Sequence, residues 1–416
     1  MSLQATFKSL SVTRFLEEID AKSLFWIVKR LSGNDTNLTG GHQSGLYLPR
    51  SFFEVVFPEI CTTEEYNPDV YIDTCYIPQA DKLVSKLRAI YYNSKYFPER
   101  NLKKKYDEFR LTRWGGRSVP LQDPENTGSI CVFAIQKSSS ETHAVAWVAE
   151  NISEEDIIEA WLGQEVEPGR FIMKPTQKAA LATREDFRIP ADWLATFPSG
   201  RELFLHVTRL VPRVLWLRSI DELLLKRREV EFRLFEELER RQVLPEVRKG
   251  FGSVDSFIKL AHSVSNRRKS RTGTSLELNL ETIFVDEKLH FETQVYTEKR
   301  KKPDFIFPSG KAYHDEHFPA VRLNMLAAKT CCKDRWRQAL YEADRISPKH
   351  LFTLQQGVSG HQLQEMQDHN ILLVVPKPFV KTFPKDWRTK LLTLEHFVSR
   401  IRAHQEAVAD LQKWIN

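Results

Sequence analysis

The chain has 416 residues, of which 41% are hydrophobic, 28% charged and 11% aromatic, a balance that excludes a disordered chain and exceeds what one ordinary core can hold. Two or three domains of ~100 to 200 residues are expected. The 61 basic side chains barely outnumber the 55 acidic ones, for a net charge of +6, so a polyanionic partner is permitted without being required.

No run approaches the ~20 consecutive apolar residues of a membrane span. The opening stretch also lacks the charged, apolar, small order of a secretory signal. A soluble intracellular protein with no membrane partner is expected. The five cysteines, at 61, 75, 131, 331 and 332, form no CxxC pair and predict buried reduced thiols rather than disulfides or a zinc site.

The first ~160 residues mix short β-rich runs, "SGLYLP", "VYIDTCYIP", "EFRLTRWGGRSVPL", "GSICVFAIQK" and "HAVAWVAE", with turn residues. They predict a compact barrel-like or sandwich domain, with one helix over about 79–92. Residues 1–172 form this domain, and 173–194, broken by Pro175 and Pro190, read as a linker. Residues 195–416 form the second domain. Its first helix has Ser219 followed by Glu222 at capping-box spacing, a second starts near Ser253, and a third covers "TSLELNLETIFVDE". Then "LHFETQVY", "PDFIFP", "VRLNMLAAKT", "HLFTLQ" and "NILLVVP" read as strands between helices at 334–344 and 359–368, with a last helix over about 391–414. Strands alternating with helices predict an α/β domain around a mixed, buried sheet.

Within that sheet "KKPDFIFP" places Asp304 at the start of a strand, and "LAAKT" places Lys329 at the end of a neighbouring one. The helix after it carries Glu342. If the strands lie side by side, two carboxylates and an ammonium converge, a set that can hold Mg²⁺, polarise a phosphodiester and orient water. Taken singly, Pro-Asp also starts turns, lysines also end strands, and glutamates also lie on solvated helix faces.

Lys333, Asp334 and Arg335 follow Lys329 closely. Arginine or lysine can donate to guanine O6 and N7, and aspartate can accept from cytosine N4, so the block suits G·C pairs. A plain helix N-terminus with Asp334 favoured by the macrodipole fits it as well. The basic run "NRRKSR", with Arg267, Arg268 and Arg271, could hold phosphates or face water. His314, Asp315 and His317 match no ligand spacing and read as a polar loop.

"NRRKSRTG", "KKPDFIFPSG", "AAKTCCKDRWRQ" and "HLFTLQQGVSG" together resemble the catalytic domain of the EcoRII-type restriction endonucleases. The resemblance implies a fold of the PD-(D/E)xK nuclease type, in a variant whose second acid sits on the helix after the lysine. In keeping with that, the position two before Lys329 is Ala327. It implies a Mg²⁺-dependent type II site-specific deoxyribonuclease, with Asp304 and Glu342 as metal ligands, Lys329 as catalytic lysine, Glu277 as a supporting acid and Tyr313 as a further site residue. Lys333, Asp334 and Arg335 would read a site similar to CCWGG, where W is A or T.

"GGHQSGLYLP" and "KKKYDEFRLTRWGG" resemble the family's N-terminal effector domain, a DNA-binding pseudobarrel similar to plant B3 domains. The resemblance implies His42, Tyr47, Lys104, Glu108 and Arg110 at its DNA interface. Strand alternation over 104–110 would present Lys104, Tyr106, Glu108 and Arg110 together. It further implies a homodimer engaging two or more copies of the site on double-stranded DNA, autoinhibited by its first domain. A prokaryotic cytoplasm and a cognate cytosine methyltransferase are expected with it. The alternative is a nuclease-derived DNA-binding protein without cleavage.

Overall fold

The computed structural model describes all residues except 1–5, 9, 23, 41–44, 139–140, 175–186, 217–218 and 416. Among these, no helix is long and apolar enough to cross a membrane. The first part of the chain forms an eight-stranded sheet in the order β2-β5-β4-β3-β7-β6-β1-β8. Its strands are β1 (Phe25–Arg30), β2 (Leu46–Leu48), β3 (Asp69–Ile77), β4 (Lys82–Tyr92), β5 (Glu108–Thr112), β6 (Ile130–Lys137), β7 (Thr142–Val148) and β8 (Ile172–Lys174).

Alternate residues of β6 feed two cores, which is what a sheet covered on both faces requires. Cys131, Phe133 and Ile135 join Phe52, Phe53, Leu87 and Trp114 on one face. Ile130, Val132 and Ala134 join side chains of helices α1 (Val12–Ala21) and α2 (Ile152–Leu162) on the other.

The helix expected over 79–92 is instead strand β4. Val84 and Leu87 are three residues apart and both buried in the same core, which mimics helical spacing. The cause is Lys86, whose φ of 55° shifts the side-chain alternation by one residue. Of the stretch read as a linker, residues 175–186 lie outside the described residues; its start, Met173 and Lys174, belongs to β8, which pairs with β1, and its end supplies Phe187, Ile189 and Trp193, which pack on the first two of the helices that follow.

Those helices are α3 (Gly200–Leu210), α4 (Ile220–Lys249) and α5 (Val254–Asp286). The second and third helices of the sequence reading are thus one 33-residue helix, begun by a Ser253–Ser256 capping box. Gly273 costs such a helix only ~1 kcal/mol relative to alanine, which the buried Leu276, Leu280, Ile283 and Phe284 offset.

A six-stranded sheet follows, in the order β14-β13-β12-β11-β10-β9. It comprises β9 (Glu292–Thr293), β10 (Phe305–Phe307), β11 (Asn324–Lys329), β12 (Lys349–Thr353), β13 (Ile371–Val375) and β14 (Leu392–Thr393). β11 to β14 run parallel and β9 and β10 antiparallel, the mixed sheet expected. Helices α5 and α7 (Leu394–Glu406) cover one face and α6 (Gly360–Asp368) the other. The helix expected over 334–344 is a 3₁₀ segment, Asp334–Tyr341, and the last helix starts only after β14. All five cysteines are free, and four are buried.

Candidate active site and the domain contact over it

The antiparallel register pairs Phe305 with Leu326, so Asp304, one residue before β10, lies beside the end of β11. Its Oδ2 accepts the Ala328 backbone N–H at 2.7 Å and lies 3.5 Å from the Lys329 ammonium. Glu342 follows the 3₁₀ segment and precedes Ala343, whose φ is 51°. Burial pushes the Glu342 carboxyl up to about 7; Lys329 opposes that shift and Asp304 adds to it. Its Oε2 is buried with no hydrogen-bond partner among the described residues. Glu277, on α5, is raised by burial and by Asp304 and lowered by Lys329. Asp304 and Lys329 therefore lie together, and both act on Glu342 and on Glu277.

Asp304, Glu342 and Glu277 lie around the Lys329 ammonium, with Lys349 and Lys301 also acting on Glu342, yet one of the buried carboxylate oxygens lacks a donor. Hard oxygen donors in that state suit a divalent cation such as Mg²⁺. Among the described residues no group of three or more His, Cys, Asp or Glu is arranged as a metal site, so such an ion would need oxygens from substrate and water to complete its shell.

Tyr313 is turned elsewhere. Its hydroxyl donates to Glu298 at 2.6 Å, and Glu298 also accepts the Asp344 backbone N–H at 3.1 Å. Arg345 donates to the Tyr313 carbonyl. The pair thus anchors the segment just after Glu342, and Glu298 is a positioning residue that no motif announced.

The block after Lys329 lies at the carboxyl end of the parallel strands, where ligand crevices of such sheets open. The Lys333 backbone N–H donates to Gln355 at 2.9 Å, and its ammonium donates to Ser129 of the first part of the chain. Asp334 lies 3.8 Å from Arg337. Arg335 is half-buried, and its charge partly offsets the burial that raises the carboxyls of Glu159 and Glu165.

The first part of the chain closes over this end of the sheet along its backbone. Gly33 N donates to Gln356 O at 2.7 Å, and a Cβ on Gly357 (φ 115°) would lie 3.1 Å from the Gly33 backbone. Ser359 donates to Glu125 at 2.8 Å. To one side, Glu167 sits between Arg228 of α4 and Arg271 of α5, 2.6 Å from the Arg228 guanidinium. Burial alone would raise Glu167, but Arg228, Arg271 and Arg170 outweigh it and hold the carboxyl down at about 2. Arg271 is therefore neither exposed nor free for a phosphate in this state. Arg268 binds Glu239 at 2.9 Å and Arg267 lies over the Phe197 ring at 4.6 Å.

In the first sheet Tyr47 pairs with Arg110, and Arg110 binds Glu108 at 2.9 Å. These three line a cavity that Gln356 of the second part also lines. Lys104 is exposed in a bend before β5, so the expected alternation does not reach it; the strand starts at Glu108. His42 lies outside the described residues. His314 ends a short helix, Gly310–His314, and the residues after it form a polar loop in which His317 pairs with Asp315 at 3.0 Å.

Two family models match the chain: "Restriction endonuclease EcoRII, N-terminal" over residues 20–178 and "EcoRII C terminal" over 235–398. A type II restriction enzyme, EcoRII of Escherichia coli, is 45% identical over 399 residues, covering 93% of this chain and 96% of that protein. Among solved structures, metal-depleted Ecl18kI in complex with uncleaved, modified DNA is 16% identical, covering 53% of this chain and 84% of that one with a TM-score of 0.43.

Proposed function

Because the chain belongs to the EcoRII family of type II restriction enzymes, we propose that it cuts both strands of DNA at a CCWGG-like site with the cluster at Asp304, Lys329 and Glu342. Sequence-specific DNA cleavage is the family's activity, and the alternative of a DNA-binding protein without cleavage has no support in this site. The observation that carries the assignment is the buried, donor-less Glu342 oxygen beside Asp304 and Lys329. Asp304 and Glu342 would hold Mg²⁺, which when bound polarises the phosphodiester and acidifies water. Lys329, held 3.5 Å from Asp304, orients the attacking oxygen and takes part in its deprotonation. Glu277 adjusts the charge of the pair.

Residues 1–174 are read as a B3-like effector domain and 187–416 as a PD-(D/E)xK-type nuclease domain. Tyr47, Glu108 and Arg110 would face effector DNA, with Lys104 and His42 as further contacts. The enzyme would act as a homodimer on two or more site copies in a bacterial cytoplasm, beside a protecting methyltransferase. A two-fold site implies one active site per strand.

Arg335 tests the base-reading assignment. Arg335→Ala should lower affinity for cognate duplex by ~1 to 3 kcal/mol for the lost bidentate contact, leaving scrambled duplex little changed. Titrations of both duplexes at two salt concentrations measure it. Equal weakening of both would make Arg335 a phosphate contact.

Docking of the first domain is read as autoinhibition, supported by the Lys333–Ser129 bond and by the Glu167 carboxylate between two arginines. Glu167→Ala leaves Arg228 and Arg271 buried without that carboxylate, a change that typically costs ~3 to 5 kcal/mol. It should therefore raise cleavage of one-site DNA. A variant as slow on one-site DNA as the parent would remove Glu167 from the latch.

A further inference from the structure

We propose that Gln355 is a positioning residue that holds the base-reading segment in place and registers whether the first domain is docked. The inference rests on the assignment of Lys333 to Arg335 to base reading. Gln355 lies two residues beyond β12 and is 1% exposed. Its Oε1 accepts the backbone N–H of Cys332 at 3.1 Å and of Lys333 at 2.9 Å, with the Cys331 thiol also at 3.1 Å. Its Nε2 donates to the Gly357 carbonyl at 2.8 Å and to the Thr127 carbonyl at 3.4 Å. Backbone N–H groups on one side and carbonyls on the other permit one orientation of the carboxamide, and both of its amide hydrogens are used.

The two ends of this side chain do different work. The oxygen fixes the backbone where the reading segment begins. Lys333 there has φ −25° and ψ −104°, outside the helical region; one bond, Trp336 N–H to the Cys332 carbonyl at 2.9 Å, spans it, and the Gln355 oxygen holds the Lys333 N–H, so that oxygen helps set the direction in which residues 333–335 leave the strand. The nitrogen faces the first domain. Gly128 has φ 94°, and a Cβ on it would lie 2.5 Å from the Gln355 Nε2, so the first domain closes directly onto the carboxamide. Undocking removes one of its two acceptors and relaxes the group that shapes the reading segment. Docking and recognition are thereby joined through one side chain.

The test uses two full-length variants. Gln355→Met keeps length and packing but removes every hydrogen bond; Gln355→Glu keeps the acceptor toward Cys332 and Lys333 and gives up the amide donations. Two ratios are measured: kcat/KM on cognate duplex against duplex with one base pair changed, and cleavage of two-site against one-site plasmid. Misfolded protein scales numerator and denominator alike, so a merely structural effect leaves both ratios unmoved. Gln355→Met should lower the first ratio about tenfold or more, the size of one misplaced base contact, and bring the second toward one. Gln355→Glu should keep the first and lose the second. The same duplexes titrated without metal give the corresponding ratio of affinities even for a variant that does not cut. Gln355→Met with both ratios within about twofold of wild type overturns the proposal, as does Gln355→Glu losing discrimination as far as Gln355→Met. A wild type that neither cuts nor prefers the CCWGG-like duplex would sink the underlying reading instead.

Discussion

Alanine or asparagine at Asp304 should lower cleavage of cognate DNA by at least about 10³-fold, the scale on which loss of a group acting on the transition state is felt. The two substitutions separate chemistry from structure. Asp304 accepts the Ala328 N–H at 2.7 Å, so alanine also strands a partly buried donor, at a cost of ~1 to 3 kcal/mol. Asparagine restores an acceptor of the same shape but not the negative charge that lies beside Lys329 and that a bound cation would use. Its melting temperature should therefore stay near that of the parent while its cleavage falls as far as that of the alanine variant. Lys329→Ala should be as inactive, and a chelator should stop wild-type cleavage while cognate binding survives. Plasmid cleavage and duplex binding, each with and without Mg²⁺, decide it. More than about a tenth of wild-type cleavage by a folded Asp304→Asn protein would remove Asp304 from the metal.

How much of this was legible in the sequence depends on how local each signal is. Asp304 and Lys329 stand at the ends of short apolar runs, and the strand register follows from those runs, so their meeting could be anticipated. Glu342 could be named but not its geometry, since the expected helix is a 3₁₀ segment ended by a left-handed Ala343. The 79–92 stretch misled because one positive φ at Lys86 turns a strand's alternation into a three-residue spacing. Glu167, Glu298 and Gln355 were not singled out because their partners are distant in sequence or on the backbone. Nor could composition show that Arg271, in a run that reads as solvated and basic, is buried against a glutamate from another domain. A clue existed in hindsight: Gly33, Gly128, Gly169 and Gly357 all lie where backbone meets backbone or a glutamine between the two halves.

Deleting residues 1–186 should leave a folded protein that cleaves one-site DNA about 5- to 150-fold faster than the full chain, the range of ordinary coupling between sites. The cut falls there because Phe187, Ile189 and Trp193 pack onto α3 and α4, so removal through 194 would strip part of that core. Folding should survive because, among the described residues, the three cores of the second half draw no side chain from before residue 187, and the two of the first draw none from after Met173. What the deletion uncovers is specific: the Lys333 ammonium loses Ser129, Arg335 loses the carboxylates of Glu159 and Glu165, and Arg228 and Arg271 lose Glu167. Lys333 and Arg335 would then be uncovered for DNA, while Arg228 keeps Ser275 and Arg271 keeps the Phe232 and Phe235 rings. On the proposed autoinhibited reading, the same release in the full chain would come from effector DNA, which can shift the equilibrium only by its differential affinity for the undocked form. One-site and two-site plasmids cut by both proteins measure the effect, and the two-site advantage should vanish in the truncated one. A truncated protein that is folded but inactive would show that the first domain completes the active site. A full chain already fast on one-site DNA would show that docking does not inhibit.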